Sequence, residues 1–485
     1  MDICLSFGVN LKFPRQLSGE GIGSFTGETR MMQWEKLLSS TRLGKRPAKV
    51  EEGRSPFNSD HDKVIFSGSF RRLARKTQVH PLATNDHIHN RLTHSLEVAC
   101  VGRTLGMRVG HELIKGKKLP AHLTAADIGD IVQTACLAHD IGNPPFGHTG
   151  EEAIRHWFSN ESEDILRNLK PNESADLKLF EGNAQGFRVL TTSEYHPYDG
   201  GMRLTYASLG AFIKYPWISL DAASGNRPKN SKYGIYRSEE DKFKEVAEAT
   251  GLLKRGDNWY CRHPLAHLME MADDFCYAIL DLEDGIEMGI LNWEEVFEII
   301  QPVLDPKRLA ELGNDLKDLR PGRKPPLVRG KIISAFVDAG AKAFIENENK
   351  ILCGEIDDLL AKCDTPIITC VKNAKNLAKD RIFQHPRKVE LEIGAYNTLS
   401  TILSVLCNAA ISHVTNIKEG DYKSKRALDL IGRNTFDPRI TSKNEENSHS
   451  PEYLALMRVM DFVSGMSDNY ATHLARQFNG SGDVR

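Results

Sequence analysis

The sequence predicts a mainly α-helical protein, and three observations carry that expectation. Ile128, Ile131, Val132, Ala135 and Cys136 recur at helical spacing, and His139 falls eleven residues after Ile128, on nearly the same face. Val98, Val101 and Leu105 follow His94 at four, seven and eleven residues, which puts His94 on a buried stripe of its own helix. Beyond residue 290 the pattern is again mostly helical, interrupted by the basic run Arg320-Pro321-Gly322-Arg323-Lys324-Pro325-Pro326.

At 485 residues the chain can bury a large core, as roughly two to four domains or as one large helical body. A net charge of -2 argues against a general nucleic-acid coat protein and leaves room for a local basic patch. The nine cysteines include no C-x-x-C pair and are odd in number, so neither a zinc ribbon nor a closed disulfide framework is expected, and a reducing cytoplasm fits. Met1 to Phe7 lacks the basic start and the long apolar run of a signal peptide. The longest apolar stretch, Thr398 to Val414, contains Ser400, Thr401, Ser404 and Asn408 and reads as a buried helix, not a membrane span.

Taken in order, residues 1–30 are rich in glycine and serine with little periodicity and form a flexible leader, with Met31 and Met32 as alternative starts. A short helix is expected over Trp34 to Leu38, an extended surface loop over Lys45 to His61, and a helix over Lys63 to Arg75 that ends in the run Lys76 to Pro81. Asn90 to Leu113 is a strong helix. The helix leading to His139 is stopped by Gly142 and the Pro144-Pro145 pair, since proline lacks a donor and pushes the preceding residue out of helical geometry. Residues 155–262 are mixed and turn-rich, an insertion lining a pocket. A third long helix begins near His263, with Pro264 in its first turn, and runs to about Asp284 with Gly285 as its stop. A polar stretch from Ser442 to Ser450 sets off a final helix, and Asn479 to Arg485 frays.

Chemistry concentrates on three of these helices. His94, the pair His139-Asp140 and an aspartate from Asp273-Asp274 together offer two imidazoles and two carboxylates, which suit a divalent first-row metal with room for water. The dipeptide alone is weak evidence, because His61-Asp62 repeats it in a polar stretch with no apolar helix leading in. His148 and Glu151 are three apart at the start of the next helix, so the carboxylate can hold the imidazole in one tautomer. Arg91 lies one turn before His94 on the same face. No Walker-type phosphate loop occurs.

Several separated motifs, in one order, resemble the HD-domain deoxynucleoside triphosphate triphosphohydrolases, the dGTPase group. They are Arg91-Leu92-Thr93-His94-Ser95; His139-Asp140 with Gly142-Asn143-Pro144-Pro145-Phe146-Gly147-His148; and Ala272-Asp273-Asp274 with Tyr277 and Asp281. Arg71 to Val79, Phe180 to Gly186 and Lys214-Tyr215-Pro216 extend the likeness, which is strong over about 34–290 and looser beyond. The resemblance implies an HD-domain helical core over 31–290 that carries the 155–262 insertion, and a helical C-terminal region, 291–485, packed on it. It also implies a mononuclear manganese or magnesium site held by His94, His139, Asp140 and Asp273. Asp273 is taken over Asp274 because Tyr277 and Asp281 then follow at plus four and plus eight, on one helical face.

By the same resemblance His148 and Glu151 are the catalytic pair, and Lys214, Tyr215 and Lys232 join Arg91 around the phosphates. Tyr277 packs against C2′ and leaves no space for a hydroxyl, Asp281 accepts from the 3′-hydroxyl, and Gln78 faces the base. Asn143 and Asn183 stand where related enzymes put polar active-site residues, some of them histidine. The expected reaction is cleavage of a dNTP, dGTP first, to deoxynucleoside and tripolyphosphate. The enzymatic alternative is an HD-domain phosphodiesterase or nucleotidase, which has no use for lysines converging on distal phosphates. A different class is a nucleotide-sensing regulator that binds single-stranded DNA, for which Arg320, Arg323, Lys324, Arg329 and Lys331 are the best support. The family commonly forms hexamers, so a homo-oligomer is the expected assembly.

Overall fold

The structure, a computed structural model, describes residues 31–485 apart from 46, 48–50, 80–84, 86, 195–200, 220–231, 257, 318, 320–322, 416–421, 433–448 and 483–485. The predicted leader, 1–30, lies outside the described residues. The protein is mainly helical, as the periodicity predicts.

Helix α1 spans Trp34–Leu37, α2 Pro56–Ile65 and α3 Gly68–Arg72. The second corrects the expectation of one extended loop over Lys45 to His61. Ser55 accepts from the backbone N–H of Asn58 at 3.1 Å and Pro56 occupies the first turn, so a polar run starts a helix that buries Phe57, Asp60 and Val64. The helix expected over 63–75 is divided at Phe66-Ser67, because the Ser67 hydroxyl caps a new turn through Phe70 N.

Helices α4 (Arg91–Lys115) and α5 (Ala125–Ala138) pack along most of their lengths. Reciprocal caps start both: Asn90 with Thr93, and Thr124 with Asp127. Glycine lets them approach this closely, since a Cβ on Gly106 would lie 2.8 Å from the Ile128 carbonyl and 3.0 Å from Gly129 Cα. The mixed stretch resolves into α6 (Gly147–Asn160), α7 (Glu163–Leu166), α8 (Pro171–Lys178), α9 (Gly182–Arg188), α10 (Tyr206–Phe212) and α11 (Glu240–Thr250). A hairpin of β1 (Lys254–Gly256) and β2 (Trp259–Tyr260) follows, the one sheet among the described residues.

Helix α12 (Pro264–Glu287) has Pro264 in its first turn, as expected, but Gly285 does not stop it. The helix continues to Glu287 and the left-handed residue beyond it is Gly289. Gly285 instead makes room for Leu291 and Ile382, which a Cβ would meet at 2.7 and 2.9 Å.

The remaining helices are α13 (Trp293–Ile300), α14 (Pro306–Leu316), α15 (Lys324–Glu346), α16 (Glu348–Leu352), α17 (Thr365–Leu377), α18 (Pro386–Val414), α19 (Tyr422–Ile431), α20 (Pro451–Ser464) and α21 (Asp468–Phe478). Residues 320–322 of the predicted basic loop lie outside the described residues, but Lys324-Pro325-Pro326 is the first turn of α15, where proline is tolerated. Arg329 pairs with Glu283 at 2.7 Å and Lys331 with Asp315 at 3.5 Å, so part of that charge is answered within the chain. The expected single final helix is two, because Ser467 caps α21 through Tyr470 N. The Thr398–Val414 stretch lies in α18 with Leu399, Ile402, Leu403, Leu406 and Cys407 buried, and no helix among the described residues is long and apolar enough to cross a membrane.

Two apolar cores result. The larger gathers α4, α5, α10, α12, α15 and α17; the smaller gathers α6, α18, α20 and α21. His89 ties the larger core together at one edge, with Nδ1 2.7 Å from Asp284 of α12 and Nε2 3.0 Å from Glu97 of α4. Burial opposes its charge, but the bonds to Asp284 and Glu97 outweigh burial and raise its pKa to about 10. A folded-state pKa above the unfolded value of about 6.5 means that His89 stabilises fully below pH 6.5. That contribution is expected to fade as the pH rises to about 10. Melting temperatures across that range should therefore fall more for the wild type than for His89→Gln; parallel curves would remove His89 from the alkaline loss.

Candidate metal centre and active site

Helices α4, α5 and α12, all of the larger core, bring His94, His139, Asp140 and Asp273 together. His139 is the residue that ends α5, where the helix stops sooner than the glycine and prolines downstream require. Its Nδ1–H donates to the Cys136 carbonyl at 2.6 Å, which leaves Nε2 with its lone pair. Ligand atoms of His94, His139 and Asp140 all lie within 4.8 Å of one another. Asp273 Oδ1 lies 3.2 Å from His94 Nε2 and 3.6 Å from His139 Nε2. Asp274 turns the other way and accepts from Lys375 Nζ of α17 at 2.6 Å.

The set suits a divalent ion. Asp140 Oδ1 is taken by Arg91 at 2.7 Å and by the Asn143 amide, whereas Asp140 Oδ2 is buried with no hydrogen-bond partner. A buried carboxylate oxygen left bare beside two imidazole nitrogens is what a cation would satisfy. Burial would raise the carboxyl of Asp273, but the charges of His139 and His94 hold it well below the usual range. Asp140 is lowered too, burial being outweighed by Arg91 and the two imidazoles. His61-Asp62, the same dipeptide on α2, pairs with Arg54 instead.

Beyond His139 the chain turns sharply. Phe146 and Gly147 both have left-handed backbone, φ 64° and 58°, and α6 starts there. A Cβ on Gly147 would also sit 2.6 Å from the Arg91 guanidinium, which would have to shift to admit it. The turn delivers His148 with its side chain 76% exposed and Nδ1 2.9 Å from Glu151 Oε2. Glu151 is buried, and its other oxygen accepts from the N–H of Gly182 at 2.8 Å. Burial would raise Glu151, but the hydrogen bond and charge of His148 outweigh it and keep the carboxyl low. Gly182 also abuts Asn143, since a Cβ there would be 2.6 Å from Asn143 Oδ1 and 2.7 Å from Glu151 Oε1. Asp140, Asn143, Gly182, Glu151 and His148 thus form one contiguous file from the metal cluster to an exposed imidazole.

The other predicted site residues fall around this file. Arg91 is buried across Asp140 and Gly147, with its Nε lacking a partner. Lys214 pairs with Glu270 at 3.3 Å and lies 5.8 Å from the ring centre of Tyr215. Burial opposes its charge, but Glu270 outweighs burial and raises the ammonium well above its usual value. Lys232 acts electrostatically on Glu151 and Glu181. Asn183 donates to Glu181 at 2.6 Å and not to the metal cluster. Tyr277 lies 6.2 Å from the Phe383 ring, and Asp281 is buried with Oδ2 bare and its carboxyl pushed well up by burial and by Asp284. Gln78 Oε1 is likewise buried without a partner.

Sequence reasoning missed the groups that hold these residues. Arg262 joins Lys214 on Glu270 at 2.5 Å, and its position before α12 carries no signal of that role. Lys76 is buried and donates to the carbonyls of Asn143 (2.6 Å) and Ser464 (2.5 Å); burial pushes its ammonium down to about 7. Glu181 stood inside the Phe180 to Gly186 motif and could have been read there.

Comparison with known proteins places the chain in one family. The HD domain profile matches residues 91–196. A deoxyguanosinetriphosphate triphosphohydrolase-like protein of Pseudomonas aeruginosa is 47% identical over 460 residues, covering 93% of this chain and 99% of its own length. One of Synechocystis is 38% identical with the same coverage. A deoxyguanosinetriphosphate triphosphohydrolase of Enterobacter is 29% identical over 86% of this chain and 92% of its own.

Proposed function

Because the chain belongs to the deoxyguanosinetriphosphate triphosphohydrolase-like family of HD-domain proteins, we propose that it hydrolyses deoxynucleoside triphosphates, dGTP first, to deoxynucleoside and inorganic tripolyphosphate. The observation that carries this reading is the file from Asp140 to His148, which joins a metal-binding cluster to an exposed imidazole backed by a buried carboxylate.

In this reading water attacks the α-phosphorus, the bond from phosphorus to the 5′-oxygen breaks, and that oxygen takes a proton. His94, His139, Asp140 and Asp273 hold the divalent ion, manganese or magnesium, which when bound neutralises phosphoryl charge and acidifies water. His148 handles the proton through Nε2, while Glu151 fixes the ring by accepting from Nδ1. A triphosphate carries about four negative charges, more than one ion answers, and Arg91, Lys214 and Lys232 supply the rest with Tyr215 beside them. Tyr277 closes the space at C2′, Asp281 bonds the 3′-hydroxyl, Gln78 offers an amide to the base, and Asn143 and Asn183 add polar contacts.

Incubation with each of the four dNTPs and GTP, with manganese or magnesium, followed by chromatography of the products, tests the reading. Tripolyphosphate and deoxynucleoside support it; orthophosphate or a nucleoside monophosphate overturns it in favour of a nucleotidase or phosphodiesterase. His148→Ala is expected to lower kcat by ~10²- to 10⁴-fold, the usual range for a general acid or base. Its melting temperature should fall only modestly, because the His148 side chain is largely exposed and the buried Glu151 that loses its partner keeps the Gly182 N–H.

A further inference from the structure

The turn that presents His148 is held from the far end of the chain. Asp468 opens α21 in the smaller core and is 2% exposed. One of its carboxylate oxygens accepts from the backbone N–H of Phe146 at 2.9 Å. The other accepts from the backbone N–H of Thr77 at 2.9 Å and from the Thr77 hydroxyl. Phe146 has the left-handed backbone that residues with a Cβ avoid, so the turn needs outside support to persist. A second grip lies alongside, where Lys76 joins the Asn143 carbonyl at the start of the turn to the Ser464 carbonyl at the end of α20.

We infer that Asp468 is a positioning residue that clamps two loops of the active site at once: through Phe146 it sets the turn that carries His148, and through Thr77 it sets the segment that carries Gln78. The inference rests on the proposed roles of His148 and Gln78. It predicts that the two arms act on different kinetic constants. Loosening the Phe146 arm misaligns the proton-handling pair and lowers kcat; loosening the Thr77 arm misplaces Gln78 and raises KM.

An Asp468→Asn carboxamide has one acceptor oxygen and so can serve one arm alone. Where the amide oxygen serves Thr77, the Phe146 arm is lost, kcat falls roughly 10- to 100-fold, the scale of a small misplacement remote from the chemistry, and the amides near Phe146 exchange hydrogen faster; where it serves Phe146, KM rises instead and the amides near Thr77 exchange faster. Ser467→Ala is the control, since it removes the cap of the same helix and leaves Asp468 in place. It should lower the melting temperature with kcat and exchange at both loops unchanged. Thr77→Val, which deletes one hydroxyl donor, reads the second arm alone and serves if Asp468→Asn does not fold. It should raise KM, with kcat and protection at Phe146 retained.

The clamp is overturned if Asp468→Asn keeps wild-type kcat, KM and exchange, if Ser467→Ala changes kcat or KM as much as Asp468→Asn does, or if Thr77→Val leaves KM unchanged. Absence of tripolyphosphate from the wild type would instead defeat the proposed reaction. The exchange measurements would still decide whether Asp468 holds the two loops.

Discussion

On the proposed mechanism the His139→Ala protein is expected to bind no divalent ion and to turn over its nucleotide ~10³-fold more slowly or worse, since a bound ion supplies several kcal/mol of charge stabilisation and ~1.4 kcal/mol is a factor of ten. His139 is the best single test of the centre. Its Nδ1–H is already committed to the Cys136 carbonyl, so the ring has one role left, through Nε2. Removing it also takes away the imidazole that lies between Asp140 and Asp273, whose Nε2 is 3.6 Å from a carboxylate oxygen of each. The measurements are metal content after dialysis and tripolyphosphate release. His61→Ala, which alters the same dipeptide on α2, where His61 and Arg54 both pair with Asp62, should leave both unchanged. Turnover by metal-free His139→Ala at the wild-type rate would sink the metal-dependent mechanism.

The largest stability loss is expected at Gly142. A Cβ there would fall inside the van der Waals shells of the Gly182 carbonyl and the Gly186 N–H, both backbone, so no side chain can swing aside to admit it. Either the turn after His139 or the start of α9 must move, and ~3 kcal/mol or more of stability should go with it. Activity should fall too, because the Gly182 N–H that steadies Glu151 belongs to the displaced segment. Gly394 is the control: it lies in α18 with open space where a Cβ would go, and Gly394→Ala should gain up to ~1 kcal/mol from helix propensity. Thermal melts of the two variants decide the matter, and a Gly142→Ala protein as stable as the wild type would show that the crossing of these backbones is not tight in solution.

Much of the architecture was legible because helices announce themselves locally. The stripes through His94 and His139 need only a few turns of sequence to be seen, whereas the choice of Asp273 over Asp274 rested on the family resemblance that places Tyr277 and Asp281 on its face. Errors came where polar composition was read as loop. Ser55-Pro56 and Lys324-Pro325 both begin helices, since capping and first-turn proline outweighed the surrounding charge. Gly285 was read as a stop from its type alone, when its lack of a side chain serves Leu291 and Ile382.

The sequence by itself determined the helical class, the buried faces that carry His94 and His139, and the pairing of His148 with Glu151, because each depends on residues within about three turns of one another. Only the tertiary structure decided what holds those residues in register. Glu270 between Lys214 and Arg262, Lys375 on Asp274, and Asp468 on Phe146 and Thr77 join positions up to several hundred residues apart. Such contacts leave no periodic trace, since they are fixed by how two cores pack and not by any local preference of the chain.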